Sequence, residues 1–222
     1  MKLTLFDLDH TLLAGDSDVL WCDFLVARGV LDGAGFGARN VAMEAGYRAG
    51  TVSVADFCAF YVGTLAGRSA AEWEPLRRAF VQEAVVPRIP AAAHALVQAH
   101  LGAGDLVVLT TATNRFISEP TAQHLGIEHV IATECETGAD GRFTGRVQGL
   151  PNMREGKVDR LHGWLAGRGL ALADCDDSQA YSDSANDLPL LAAVRHPVAV
   201  NPDPRLAAVA TARGWPVMRL AD

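Results

Sequence analysis

At 222 residues, 50% of them apolar and 20% charged, the chain can bury one good core, or one core plus a smaller accessory domain, and its composition is not that of a disordered segment. A net charge of −7 with no basic cluster argues against nucleic acid or an anionic membrane surface as the partner, so an anionic substrate needs a local positive site. Four widely spaced cysteines without a CxxC pair speak against a structural zinc or a disulfide framework and fit a reducing cytoplasm, while the opening apolar run is too short for a signal peptide and no stretch of about 18 apolar residues could span a membrane.

The chain begins MKLTLFDLDHTLLAGD. Residues 3–6 read as a buried strand ending in Asp7 and Asp9, which alternation puts on one side of the backbone for as long as the strand persists. Two carboxylates held that close repel unless a cation sits between them. The next hundred residues lack a convincing strand. Helical spacing runs over 18–27 and more weakly over 41–47, and Ser53-Val-Ala-Asp56 and Ser69-Ala-Ala-Glu72 read as capped helix starts. Four short helices between 15 and 86 predict a bundle-type insert. The rhythm then alternates: helix 91–101, strand 106–110, helix 116–125, strand 130–132, and a hairpin over 136–147 turning at Asp140-Gly141. Helix 157–167, strand 179–182, helix 187–193, strand 197–200, helix 204–213 and strand 216–218 complete it. Strands separated by single helices predict an α/β fold, a doubly wound, mostly parallel sheet carrying the helical insert after its first strand. The expected organisation is a core of 1–14 plus 87–222 and an inserted domain of 15–86.

Ligands of such sheets bind beyond the carboxyl ends of the strands. Asp7 and Asp9, Thr110 and Thr111, and Asp183 with Asn186 and Asp187 all fall at such ends, with Asn201 a weaker fourth. Lys157 opens a helix between the second and third groups. The chain has 17 arginines but only two lysines, and a compact ammonium fits a tight pocket that a planar guanidinium does not. The carboxylates suggest Mg²⁺, which takes one or two carboxylates plus waters and a substrate phosphate. One carboxylate is then free to act as a nucleophile toward phosphorus.

Asp7-Leu-Asp9-His-Thr11, the strand ending in Thr110-Thr111, Lys157 and Ser182-Asp183-Ser-Ala-Asn186-Asp187 resemble, in order and spacing, the four motifs of the haloacid dehalogenase superfamily of phosphohydrolases, closest to its phosphoserine-phosphatase-like branch. The resemblance implies a Rossmann-like core with a helical cap, and a Mg²⁺-dependent phosphatase acting on a small phosphorylated metabolite. It implies Asp7 as nucleophile and Asp9 as general acid and base, Mg²⁺ on Asp7, the Asp9 carbonyl and Asp183, phosphate on Thr111 (or the adjacent Thr110) and Lys157, and support from Asp187 and Asn186. Hinges of the cap are expected near 14–15 and 86–90. A phosphotransferase using the same aspartyl-phosphate is the alternative, and a non-catalytic phospho-accepting module a more distant one.

Some residues depart from the family pattern. Ser182 and Ser184 stand where glycines are common, and Thr111-Ala-Thr113 replaces Ser-Gly-Gly. Asp16 takes the place of a substrate-facing glutamate, yet no arginine occurs in 53–67 to match the branch's carboxylate-binding one. Arg48 and Arg115 are the available cations. Trp21, Phe24, Phe57, Phe60 and Tyr61 are expected to be core of the insert rather than a substrate cage, and His10 a structural or rim residue.

Overall fold

The structure, a computed structural model, describes residues 1–220 and, within them, every side chain except that of Arg48. Seven strands form one sheet: β1 (Lys2–Phe6), β2 (Leu106–Asn114), β3 (His129–Thr137), β4 (Phe143–Gln148), β5 (Asp177–Ser182), β6 (His196–Val200) and β7 (Val217–Met218), in the order β4-β3-β2-β1-β5-β6-β7. Every pairing is parallel except β3 with β4, the expected hairpin. The helices are α1 (Ser17–Ala27), α2 (Phe36–Arg48), α3 (Val54–Gly63), α4 (Ala70–Phe80), α5 (Ala91–Gly102), α6 (Arg115–His124), α7 (Glu155–Ala166), α8 (Leu188–Ala193) and α9 (Pro204–Arg213).

Period-two alternation sorts the core into two layers. Leu3, Leu5, Val108, Ala180 and Ala199 turn to one face, where Leu161 and Leu165 of α7, Leu190 of α8 and Leu206 of α9 cover them. Phe6, Val107, Leu109, Tyr181 and Val198 turn to the other, under Val97 of α5 and Ile117 of α6, and on that side Trp21 of α1 and Trp73 and Phe80 of α4 continue the same cluster. A doubly wound sheet is the consequence, with β1 at its centre and the strand order changing direction beside it.

Helices α1 to α4 lie between β1 and β2 in sequence. Asp16 caps α1 by accepting the Val19 N–H at 3.0 Å, and Ser69 and Glu72 form the reciprocal capping box at the start of α4. Trp21, Phe24, Phe57 and Tyr61 are buried core, as expected, while Phe60 is half-buried. Where the chain leaves and re-enters the sheet, the Ala14 N–H donates to the Arg88 carbonyl at 2.8 Å. The return passes through one π-helical turn (Val81–Val85) and one 3₁₀ turn (Val86–Arg88).

Three elements extend four residues or more beyond what the sequence predicts at one end. β2 runs to Asn114 instead of stopping at 110, because the hydroxyls of its threonine-rich end find partners inside the protein. β3 reaches Thr137 by pairing with β4 beyond the parallel part of the sheet. α2 starts at Phe36, five residues before the spacing over 41–47, since its N-cap is Gly35, which offers no side-chain oxygen to mark the start.

Candidate active site

β1 ends at Phe6, and the Asp7 N–H makes one further bond to the Tyr181 carbonyl at 3.0 Å, so Asp7 leaves the centre of the sheet at its carboxyl edge. The N–H groups of Thr11, Leu12 and Leu13 then converge on the Leu8 carbonyl (3.3, 2.9 and 2.9 Å), curling the chain back. This curl brings Thr11 onto Asp7. Its hydroxyl donates to Asp7 Oδ2 at 3.1 Å, lies 3.5 Å from Asp183 Oδ1, and accepts the Asp183 N–H at 3.0 Å. Asp183, just past β5, is thereby fastened beside Asp7 from 176 residues further along the chain.

Lys157 lies in the first turn of α7 and is 2% exposed. Its Nζ donates to Asp7 Oδ1 at 2.7 Å and to Asp187 Oδ2 at 2.6 Å, and the Ser182 hydroxyl donates to that same Asp187 oxygen at 2.7 Å. Burial pulls the Lys157 pKa down, but the adjacent Asp187 and Asp7 outweigh it and the net direction is up. Among the described residues Lys157 is the buried basic side chain. One ammonium does not neutralise the surrounding acids. Asp7 is pushed up to about 7, mainly by burial and then, against the pull of Lys157, by Asp187 and Asp9. Asp183 is pushed up to about 9 by burial, Asp7 and Asp187.

The start of α7 is located by two residues that the sequence reading missed. The buried Asn152 amide donates to Thr110 Oγ1 (3.0 Å) and to the carbonyls of Thr111 and Ile131 (both 2.9 Å), pinning the loop before α7 onto the ends of β2 and β3. At Gly156 a Cβ would sit 2.4 Å from the Pro151 carbonyl oxygen, so only glycine lets the loop pack against the residue before Lys157. Arg154, at the N-cap of α7, holds φ 53° and ψ −126°, a strained conformation for a side-chain-bearing residue.

Asp9 points differently from Asp7 because the strand has already ended. Its Oδ1 accepts the Ser17 N–H at 2.7 Å and its Oδ2 accepts the Thr113 hydroxyl at 2.7 Å, while the Ser17 and Thr113 hydroxyls lie 3.0 Å apart. Thr113 thus orients Asp9 across 104 positions of sequence. Its position in the Thr111-Ala-Thr113 stretch was the available signal. Thr111 is fully buried and accepts the Thr113 N–H at 3.1 Å, whereas the Thr110 hydroxyl is held by Asn152.

Other predicted residues separate into two groups. Asn186 donates to the Tyr47 hydroxyl at 3.0 Å, joining the loop after β5 to α2, another contact without a local sequence signal. Asp16 stays near the site: burial, Asp9 and Glu44 push its carboxyl up to about 7. Asp18, whose Oδ1 accepts from Asn114, is also raised, by burial, Asp16 and Asp9. The Arg115 guanidinium, expected to be available to substrate, is tied to Glu134 (2.8 to 3.0 Å) and to the Val130 carbonyl, linking α6 to β3. Arg48 closes α2, and its side chain lies outside the described residues. The Asn201 amide donates to the His10 carbonyl, and both are structural turn residues with positive φ.

The family profile of the haloacid dehalogenase-like hydrolases matches residues 4–192. The chain belongs to that family. Within the haloacid dehalogenase-like hydrolases it is 42% identical over 217 residues to a histidinol-phosphatase of Neisseria meningitidis serogroup C (strain 8013), covering 98% of both chains. It is 34% identical to the phosphoserine phosphatase SerB1 of Mycobacterium tuberculosis (strain ATCC 25618 / H37Rv), over 96% of this chain and 68% of that one. It is a phosphatase of the haloacid dehalogenase-like family. A solved structure of a protein of unknown function from Bordetella pertussis Tohama I superposes with a TM-score of 0.95 at 46% identity over 99% of each chain. A substrate-bound phosphoserine phosphatase superposes with a TM-score of 0.70 at 18% identity, over 98% of this chain and 92% of that one, which is likeness of fold. Among the described residues no helix is long and apolar enough to cross a membrane.

Proposed function

We propose that the protein is a Mg²⁺-dependent phosphomonoesterase that works through an aspartyl-phosphate on Asp7. The observation that carries the reading is the buried Lys157 ammonium bridging Asp7 and Asp187, with Asp183 joined to Asp7 through Thr11, at the carboxyl edge of the central strand. Asp7 attacks phosphorus in line and its alcohol leaves. Asp9, held by Ser17 and Thr113, gives that leaving oxygen its proton and then takes one from the water that hydrolyses the acyl phosphate. Lys157 and Thr111 hold phosphate oxygens and balance the charge that builds on them.

The donor set suits a hard divalent cation. Burial first, and then the neighbouring acids, push Asp7 and Asp183 up, and a second cation would relieve the part that the acids contribute. Among the described residues no group of three or more His, Cys, Asp and Glu side chains is arranged to hold a metal ion. Asp7 and Asp183, completed by the Asp9 carbonyl and water, would make a site of the kind magnesium commonly uses. Bound there, the ion would offset phosphate charge in an otherwise acidic pocket.

Residues 15–86 act in this reading as a cap over a core of 1–14 and 87–222, in a cytoplasmic enzyme. Asp16 and Asp18 place two carboxyls on the cap side of the site that burial and neighbouring acids hold above the usual carboxylate range, so a cationic group beside them would draw them into their charged form, and 53–67 contains no arginine to hold a substrate carboxylate. These features favour a leaving group that carries a cation and no carboxylate. Phosphorylated amino alcohols have that chemistry, and the Neisseria relative is named for one, histidinol phosphate.

A panel of phosphate esters with Mg²⁺, including histidinol phosphate, phosphoserine and sugar phosphates, tests the reading by release of inorganic phosphate. Metal-dependent release without an added acceptor, abolished by Asp7→Asn and fastest for an amino-alcohol ester, is expected. Undiminished release by Asp7→Asn, or transfer to an added alcohol with no free phosphate, contradicts it.

A further inference from the structure

The helical segment holds a cavity of about 480 Å³, open to solvent on the side where Arg39 and Ala59 are exposed, that shares no lining residue with the carboxylate cluster. Val30 and Leu31 after α1, Phe36 of α2, Phe60 of α3 and Trp73 of α4 give it an apolar floor. Two guanidiniums stand on those rings. The Arg39 Cζ lies 5.8 and 5.5 Å from the ring centres of Phe36 and Phe60, which stack on each other at 5.0 Å, and the Arg68 Cζ lies 4.5 Å from the Trp73 ring. A ring face holds a guanidinium flat but accepts none of its in-plane N–H bonds. Elsewhere in the same segment Arg28 and Arg77 each grip a glutamate. Arg39 and Arg68 reach no carboxylate or carbonyl among the described residues, and no acidic residue lines the cavity, in a chain whose net charge is −7.

We propose that this cavity is a second, non-catalytic binding site, and that its ligand is a small aromatic carboxylate. The ring enters the apolar floor, and the carboxylate meets the edges of the two forks. A bare inorganic anion would leave that floor in water, and a wholly apolar ligand would strip water from the arginines without replacing their hydrogen bonds. The volume falls within the range of roughly 300 to 1,000 Å³ usual for small-molecule sites.

Calorimetric titration of the full chain with 2-naphthoate and with its uncharged counterpart 2-naphthamide tests the proposal, in Mg²⁺ and saturating inorganic phosphate to keep the catalytic site filled. Naphthoate is expected to bind with single-site stoichiometry and about tenfold more tightly than the amide, the margin of a charge-assisted pair. Arg39→Gln combined with Arg68→Gln brings naphthoate down to the level of the amide while phosphatase turnover stays as in the wild type. Ala59→Trp, which fills the cavity rim, weakens both probes. Equal affinity for the two probes, absence of naphthoate binding, unchanged naphthoate affinity in the double variant, or full affinity in Ala59→Trp overturns the proposal.

Discussion

Replacing Lys157 by methionine keeps most of the side-chain volume and removes the one buried ammonium of the cluster. In the wild type that ammonium is 2% exposed and has carboxylate oxygens at 2.7 and 2.6 Å. Removing one member of a buried pair leaves an uncompensated charge and costs about 3–5 kcal/mol. The loss depends on pH. Asp7, already pushed up to about 7 with Lys157 pulling it down, is driven higher in the variant, so the folded variant holds a proton that the unfolded chain releases near pH 4. A group with a raised folded-state pKa stabilises fully below its unfolded value, and that contribution fades as pH rises through the folded one. The gap between wild type and Lys157→Met is therefore level from about pH 5 to 7, where Asp7 is protonated in both folded proteins, and widens above about pH 7, by about 1.4 kcal/mol for each pH unit over which the folded variant keeps the Asp7 proton that the wild type has released. Urea unfolding followed by circular dichroism, with chelator present, reads it directly. A gap below about 1 kcal/mol at pH 8, or one that does not change with pH, refutes the reasoning.

Further outcomes follow from the same geometry. Thr113→Val deletes the 2.7 Å bond to Asp9 and should lower kcat by about 10- to 100-fold with the fold retained, since it disorients a proton-transfer group worth about 10²–10⁴ in rate; steady-state kinetics beside a thermal melt check this, and wild-type kcat would count against the assignment. Gly156→Ala forces a Cβ against the Pro151 carbonyl and should destabilise by about 1–3 kcal/mol through overpacking, measured by urea unfolding. Folded-state pKa values near 7 for Asp7 and 9 for Asp183 mean that the metal-free protein loses stability as pH climbs from about 4 toward 9. The rise in Tm on adding Mg²⁺ should accordingly be larger at pH 8 than at pH 6 by differential scanning fluorimetry.

Much of the sheet was legible because its strands are short apolar runs whose polar ends fall where chemistry is done. Asp7, Lys157 and Asp183 could be picked out singly, since a carboxylate after a buried strand and a rare lysine both stand out locally. What joins them could not. Thr113 meets Asp9, Asn152 meets Thr110, and Asn186 meets Tyr47 across 104, 42 and 139 positions respectively, and no local pattern encodes contacts that only the folded chain creates. Arg115 illustrates the converse, a free cation in sequence that β3 supplies with Glu134. The tail of β2 falls beyond the expected strand because its threonines are polar, whereas in the sheet Thr113 donates to Asp9, Thr111 accepts the Thr113 N–H and Thr110 accepts from Asn152.

The central claim is that Asp7 accepts the phosphoryl group. Crystals soaked with Mg²⁺ and beryllofluoride, which mimics an acyl phosphate without needing the natural substrate, test it most directly. Tetrahedral density continuous with an Asp7 carboxylate oxygen, within reach of the Lys157 ammonium, is the predicted result. Beryllofluoride bound to another side chain, or metal bound with the Asp7 carboxylate bare, would contradict it.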